Sequence, residues 1–149
     1  MNKEEYMLEA LKYANKALEI DEVPVGAIIV KDNQIIGYGF NNRESNNDVT
    51  GHAEINAIQM AEKNLNSWRL VDCDMYVTLE PCLMCCGAII QARINKVFYG
   101  TKDEKMGAVE SLLHSFDIQG LNHFVKYEGN ILEHECSEII KNYFKAKRK

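Results

Sequence analysis

Two short segments, His52-Ala53-Glu54 and Pro81-Cys82-Leu83-Met84-Cys85, constrain the fold of this chain more than anything else in it. Cys82 and Cys85 are three positions apart, a spacing that puts both thiols on one face of a helix. Pro81 suits the start of that helix, because its missing N–H costs nothing there. Thiolates are favoured at such a start by unsatisfied N–H groups and by the positive end of the helix dipole. His52 stands at the start of a second helical stretch. A fold that joins the two segments combines two sulfur donors with an imidazole, a set that selects zinc or a similar metal. The donors number three and not four: a structural zinc site is normally closed by four protein groups, whereas a catalytic site keeps one position for water. No fourth partner is evident, since Cys86 points to another side of the helix and His114, His123 and His134 lack a paired spacing. Glu54 is the expected proton carrier. Residues two apart on an ideal helix lie about 200° apart around its axis, so His52 and Glu54 flank one pocket only if the first turn points at it. Two helix N-termini converging on a metal are therefore expected.

The rest of the chain supplies the means. Tyr6, Met7, Ala10, Leu11, Ala14 and Leu18 recur at helical spacing between Asn2 and Leu18. Val25–Val30 is a short apolar strand, Lys31–Gln34 a polar turn and Ile35–Phe40 the second half of a hairpin. A loop runs from Asn41 to Thr50, then a helix from His52 to Asn64. Met75–Leu79 is a third strand, followed by a helix from Pro81 to Arg93. Lys96–Tyr99 is a fourth strand, closed by Gly100. A helix over Ala108–His114, a short strand around Phe124–Tyr127 and a final helix over Leu132–Ala146 complete the order. Such alternation predicts an α/β layered domain, with helices on both faces of a mixed sheet whose antiparallel part is the hairpin. The 149 residues fit one compact domain, 1–149.

No apolar run approaches the roughly 20 residues that span a bilayer, and the opening MNKEEYMLEALKYANKAL lacks an apolar signal core, so the expected location is cytoplasmic. An odd cysteine count of five, with Cys82 and Cys85 close together, argues against a disulfide framework. The formal charge of −5 runs against the basic surface usual in nucleic-acid enzymes. The last residues, KNYFKAKRK, are basic and contain no acid; they read equally as a solvated helix end or as a phosphate-contacting tail.

In this order, the two segments match the H-x-E…P-C-x-x-C signature of zinc nucleobase deaminases. The stretches VPVGAIIV, HAEINAI, SWRL, YVTLEPCLMCCGAI and LNH…GNILEHECSEIIKNYF extend the likeness over essentially the whole chain. It resembles the bacterial tRNA-specific adenosine deaminases. The resemblance implies a three-layer α/β/α cytidine-deaminase-like fold around a mixed sheet of about five strands, and a homodimer with one Zn2+ per subunit. It implies conversion of adenosine to inosine at the wobble position of a tRNA anticodon loop, on a base splayed out of the loop. No membrane and no other protein partner are implied. Asn41 matches a family contact to the target nucleotide, with Asn42 the neighbour if the register slips by one. The backbone N–H of Ala53 would face the substrate, and the backbone of Leu79, Glu80 and Pro81 would form the opposite wall. Val25 reads equally as an apolar contact to the base or as strand core. Asp103 matches an Asp in a loop near the RNA backbone. Tyr143 or Phe144 could stack on a base, worth roughly 1–3 kcal/mol, although helix packing is the simpler reading. Trp68 reads as core or dimer interface, and Cys73, Cys86 and Cys136 as small packing residues.

The chain departs from its relatives at Gly51, where Ala is common, and between Lys102 and Ser111, where relatives are richer in Gly. Two other functions compete. A guanine, cytosine or cytidine deaminase acting on free bases or nucleosides fits the acidic charge. A non-catalytic RNA-binding or zinc-stabilised module has no use for Glu54.

Overall fold

A computed structural model describes residues 1–148. Helix α1 (Lys3–Glu19) opens with a capping box, in which the Asn2 side chain accepts the Glu5 N–H and the Glu5 carboxylate accepts the Asn2 N–H. It buries the stripe Tyr6, Met7, Ala10, Ala14 and Ala17. Strands β1 (Gly26–Lys31) and β2 (Gln34–Phe40) form a hairpin whose two turn residues, Asp32 and Asn33, both have positive φ, as a tight hairpin turn requires. There follow α2 (Ala53–Leu65), β3 (Asp74–Leu79), α3 (Leu83–Gln91), β4 (Lys96–Thr101), a 3-10 turn at Ser115–Asp117, β5 (Lys126–Glu128) and α4 (Glu133–Lys147).

The sheet order is β2-β1-β3-β4-β5, with β1 antiparallel to both neighbours and β3, β4 and β5 mutually parallel. Strands β2 and β3 therefore run the same way, and both end at one edge of the sheet. The segments that follow them, leading to α2 and α3, start from that edge. The start of β1 and the end of β4 lie there too. Topology alone thus gathers His52, Cys82, Val25 and Asp103 into one region.

Alternate residues face opposite layers, as a pleated strand requires. Ala27, Ile29, Met75, Val77, Val97 and Tyr99 pack with α2 and α3, whereas Ile28, Val30, Tyr76 and Phe98 pack with α1 and with Cys136 of α4. This is the three-layer α/β/α arrangement with a five-stranded mixed sheet. Helix α2 lies close on β2: a Cβ on Gly39 would come 2.4 Å from the Ala53 carbonyl oxygen. The bare glycine lets the first turn of α2 settle against the strand and so fixes the height of His52.

Four local expectations need correction. Pro81 precedes the helix: Cys82 is the N-cap of α3 and Leu83 its first residue, while Arg93 lies past the helix end at φ 68°. Strand β4 does not close at Gly100 but runs to Thr101, which is paired with Leu79 of β3. Residues 108–114 are turns and not a helix. The Val109, Glu110 and Ser111 N–H groups all donate to the Glu80 carboxylate, so they cannot feed a helical ladder. Of the two readings of Trp68, core or dimer interface, the core reading falls: it is 56% exposed in the single chain, with the Arg69 and Arg93 guanidinium groups over its ring at 4.9 and 5.9 Å. No helix among the described residues is long and apolar enough to cross a membrane.

Candidate metal centre and cleft

His52 is the N-cap of α2, Cys82 the N-cap of α3, and Cys85 sits in the first turn of α3. Two helix starts converge, as the motif spacing predicts. His52 Nδ1 lies 3.6 Å from Cys82 Sγ and 3.5 Å from Cys85 Sγ, and the three donor atoms are all within 4.8 Å of one another. Tetrahedral zinc, with bonds of about 2.3 Å to sulfur and 2.0–2.1 Å to nitrogen, requires N···S edges of about 3.6 Å. The donor set fits that ion in chemistry and in spacing. The Cys85 thiol and the His52 ring hydrogen-bond to Cys82 and lower its pKa to about 4, so this sulfur carries charge at neutral pH. His52 is raised chiefly by the same contact, and Cys85, the donor to Cys82 and itself buried, is raised. Cys86 turns away into the core, with its thiol toward the Pro81 carbonyl.

Glu54 lies outside this group of mutually close donors. It is 4% exposed, and burial raises its carboxyl to about 7. His52, Glu54 and Cys82 open onto a cleft of about 490 Å³ that is also lined by Val25, Asn41, Leu79, Glu80 and Asp103. Asn41 holds its place through its side-chain oxygen, which accepts the Ala53 N–H at 2.9 Å. Asn42 is not among the lining residues, and its side-chain oxygen accepts from Asn56 at 3.0 Å. Two expected wall residues are placed differently. The Ala53 N–H is turned to Asn41, and Pro81 is buried outside the cleft lining, with its carbonyl accepting the Ala108 N–H. Val25 is both core and lining. The Asp103 carboxylate accepts the Lys105 and Met106 N–H groups and so shapes its own loop.

Sequence reasoning missed the means by which the cleft walls are held. Glu22, 4% exposed, accepts the Glu44 and Ser45 N–H groups and the Ser45 hydroxyl, pinning the 41–50 loop. Glu80, 2% exposed, pins the 103–111 loop. The only signal was a carboxylate placed immediately beside a buried strand or a ligand segment, and such a residue ordinarily reads as surface. Met106 and Arg43 also reach the cleft. Tyr143 and Phe144 border it; Tyr143 is partly exposed, its hydroxyl donating to the Asp21 carbonyl at 3.4 Å, and Phe144 is 44% exposed. Lys147 of the basic end is paired with Asp21 at 2.7 Å.

Burial alone would raise both pinned carboxyls, but the amides and hydroxyls around them outweigh it and hold each below its ordinary value. A depressed folded pKa contributes stability that is present above the unfolded pKa and is lost as pH falls through the folded one. Both loops are therefore expected to loosen as pH falls through these depressed folded values, ahead of the sheet. Amide exchange followed from pH 7 down to pH 3.5 checks this, and loops that stay as protected as the strands would refute it.

The fold and the three-donor site together define a deaminase of the cytidine-deaminase-like class, and the MafB19-like deaminase family profile matches residues 1–148. The chain belongs to the tRNA-specific adenosine deaminase family. The tRNA-specific adenosine deaminase of Aquifex aeolicus (strain VF5) is 46% identical to it over 148 residues, 99% of this chain and 97% of that one. A structure solved in studies of A-to-I editing by tRNA:A34 deaminases at the wobble position of transfer RNA is 44% identical, with TM-score 0.87, covering 91% of this chain and 98% of that one. The guanine deaminase of Bacillus subtilis is 35% identical, with TM-score 0.67, covering 99% and 94%.

Proposed function

We propose that this chain hydrolyses the exocyclic amine of adenosine at the wobble position of a tRNA anticodon, leaving inosine and releasing ammonia. The buried Glu54 carboxyl beside a three-donor cluster that opens onto a cleft carries the hydrolytic deamination, and the tRNA-specific relatives carry the choice of a wobble adenosine. His52, Cys82 and Cys85 would hold one zinc per subunit. Zinc in a three-ligand site lowers the pKa of a bound water toward neutrality and so supplies the nucleophile. Glu54 accepts the proton of the attacking water and delivers it to the ring nitrogen beside the reacting carbon. The carbon–oxygen bond forms first. Glu54 then takes the proton of the newly added hydroxyl and carries it to the amine; the carbon–nitrogen bond breaks, the carbonyl forms, and ammonia leaves.

In this reading Asn41 contacts the target nucleotide, Val25 and Leu79 wall the base, and Asp103 lies toward the RNA backbone. Phe144, 44% exposed and without the hydroxyl bond that ties Tyr143 to Asp21, is the better stacking candidate. A homodimer acting in the cytoplasm completes the proposal. Asn41→Ala is expected to raise KM and to lower Tm by about 2–4 °C, because losing the acceptor for a helix-start N–H costs about 1 kcal/mol. A thermal melt together with steady-state kinetics checks both, and unchanged values would remove Asn41 from the site.

The deciding experiment is inosine formation by the zinc-loaded protein on an anticodon stem-loop with adenosine at the wobble position. Guanine, cytosine and cytidine run in parallel. Inosine at that position alone supports the reading. Turnover of a free base without inosine moves the activity to nucleobase salvage.

A further inference from the structure

Glu80 is a buried carboxylate with no place in the proton transfers. Its Oε1 accepts the Asp103 N–H at 3.1 Å and the Ser111 hydroxyl, and its Oε2 accepts the Val109, Glu110 and Ser111 N–H groups at 3.0, 2.8 and 3.0 Å. Five donors, four of them main-chain, converge on one side chain. A carboxylate so engaged is not free to act as acid or base; its chemistry is that of an anchor. It also stands two positions before Cys82, and its own N–H donates to the Thr101 carbonyl at 2.9 Å, at the ends of the paired strands β3 and β4. One residue therefore joins the sheet edge, the cysteine segment and the loop that carries Asp103 and Met106 to the cleft. Within that loop, the Asp103 carboxylate takes the Lys105 and Met106 N–H groups, so the turn holds its shape and moves as one body about Glu80.

We propose that Glu80 is a positioning residue for substrate recognition, holding the 103–111 loop in fixed register with the Cys82–Cys85 segment so that RNA contacts on the loop are set relative to the reacting base. The inference rests on the function proposed above for its substrate, and on geometry alone for the anchor. Glutamine cannot replace it: an amide presents one acceptor oxygen and turns an NH2 group toward donors. Ser111→Ala would remove one bond and leave four. Gly107 gives a route from the loop side, since a Cβ there would fall 2.4 Å from Glu80 Cδ and 2.5 Å from the Asp103 carbonyl oxygen. Alanine at Gly107 therefore displaces the anchor from the loop side; because the adjoining Ala108 N–H donates to the Pro81 carbonyl, zinc content is the control for any effect on the cysteine segment.

The test compares wild type, Glu80→Gln and Gly107→Ala, all zinc-loaded, in three readouts: kinetics on the anticodon stem-loop, zinc content, and amide exchange of residues 103–111. Both variants are expected to keep full zinc, to raise KM about tenfold with a smaller change in kcat, and to exchange the loop amides faster than wild type. A KM within twofold of wild type, or loop amides as protected as before, overturns the proposal. Loss of zinc and of kcat together at unchanged KM also overturns it, because Glu80 would then support the metal segment and not the loop. If Glu80→Gln fails to fold, Gly107→Ala decides by the same criteria. Should wild type ignore the stem-loop and deaminate a free base, the functional reading fails, while exchange and zinc content still decide whether Glu80 holds the loop.

Discussion

Glu54→Gln is expected to retain one zinc per subunit and to turn over about 10³-fold more slowly or worse, within the range of 10²–10⁴ that general acid–base catalysis contributes. The substitution is close to isosteric, so the packing of a 4%-exposed side chain in the first turn of α2 is preserved. What is lost is the capacity to take up and release a proton. Hydrolytic deamination needs that capacity at least twice, once at the ring nitrogen and once at the departing amine, and the other carboxylates Glu22, Glu80 and Asp103 of the cleft are engaged by loop N–H groups. The effect should fall on kcat, with KM little changed, because Glu54 holds no described contact that positions the cleft walls. Metal analysis beside single-turnover kinetics separates the cases. Loss of zinc in this variant would place Glu54 in the ligand shell and end its assignment as proton carrier.

Removing a ligand is the second large effect. Cys85→Ala, or chelation of the wild-type protein, should abolish turnover by at least about 10³-fold, since Lewis-acid activation supplies several kcal/mol to the transition state. Two behaviours would tie the loss to the metal itself. The chelated wild type should regain activity on addition of zinc, and its Tm should fall and return with the metal, because an ion that binds only the folded state stabilises it by mass action. In Cys85→Ala, zinc should not restore activity at any concentration that saturates wild type. Full activity in the chelated protein would remove His52, Cys82 and Cys85 from the site.

Much of this could be read in the chain before any coordinates. The HxE and PCxxC spacings carried the ligand geometry, because helix periodicity turns a separation of three residues into a shared face. The alternation of apolar strands with helical stripes carried the three layers. What escaped was whatever depends on contacts between residues distant in sequence. The stretch 108–114 has a helical composition, yet its N–H groups are captured by a carboxylate some 30 positions away, and no local pattern records that capture. Trp68 reads as core or dimer interface by its type; its ring lies on the surface of the chain, under Arg69 and Arg93, which removes the first of the two. Asn41 and Asn42 could not be told apart by type; only their placement separates them, since Asn41 lines the cleft and Asn42 is bonded to Asn56 outside the lining. Pro81 reads as the first residue of a helix, but the N-cap role falls to the ligand Cys82.

The sheet edge at which β2, β3 and β4 end, and from which β1 starts, has a consequence for how such a protein can change over evolutionary time. The layers beneath are committed to packing, and the two helix starts to metal chemistry. The segments 41–50 and 103–111 are each pinned by one buried carboxylate, and the second also enters the core through Ala108 and Val109. Their exposed stretches, 43–50 and 104–106, can be rewritten while Glu22, Glu80 and the core residues remain as fixed sockets. A catalytic chassis with two replaceable fingers is a natural starting point for enzymes that share one reaction and differ in what they grip.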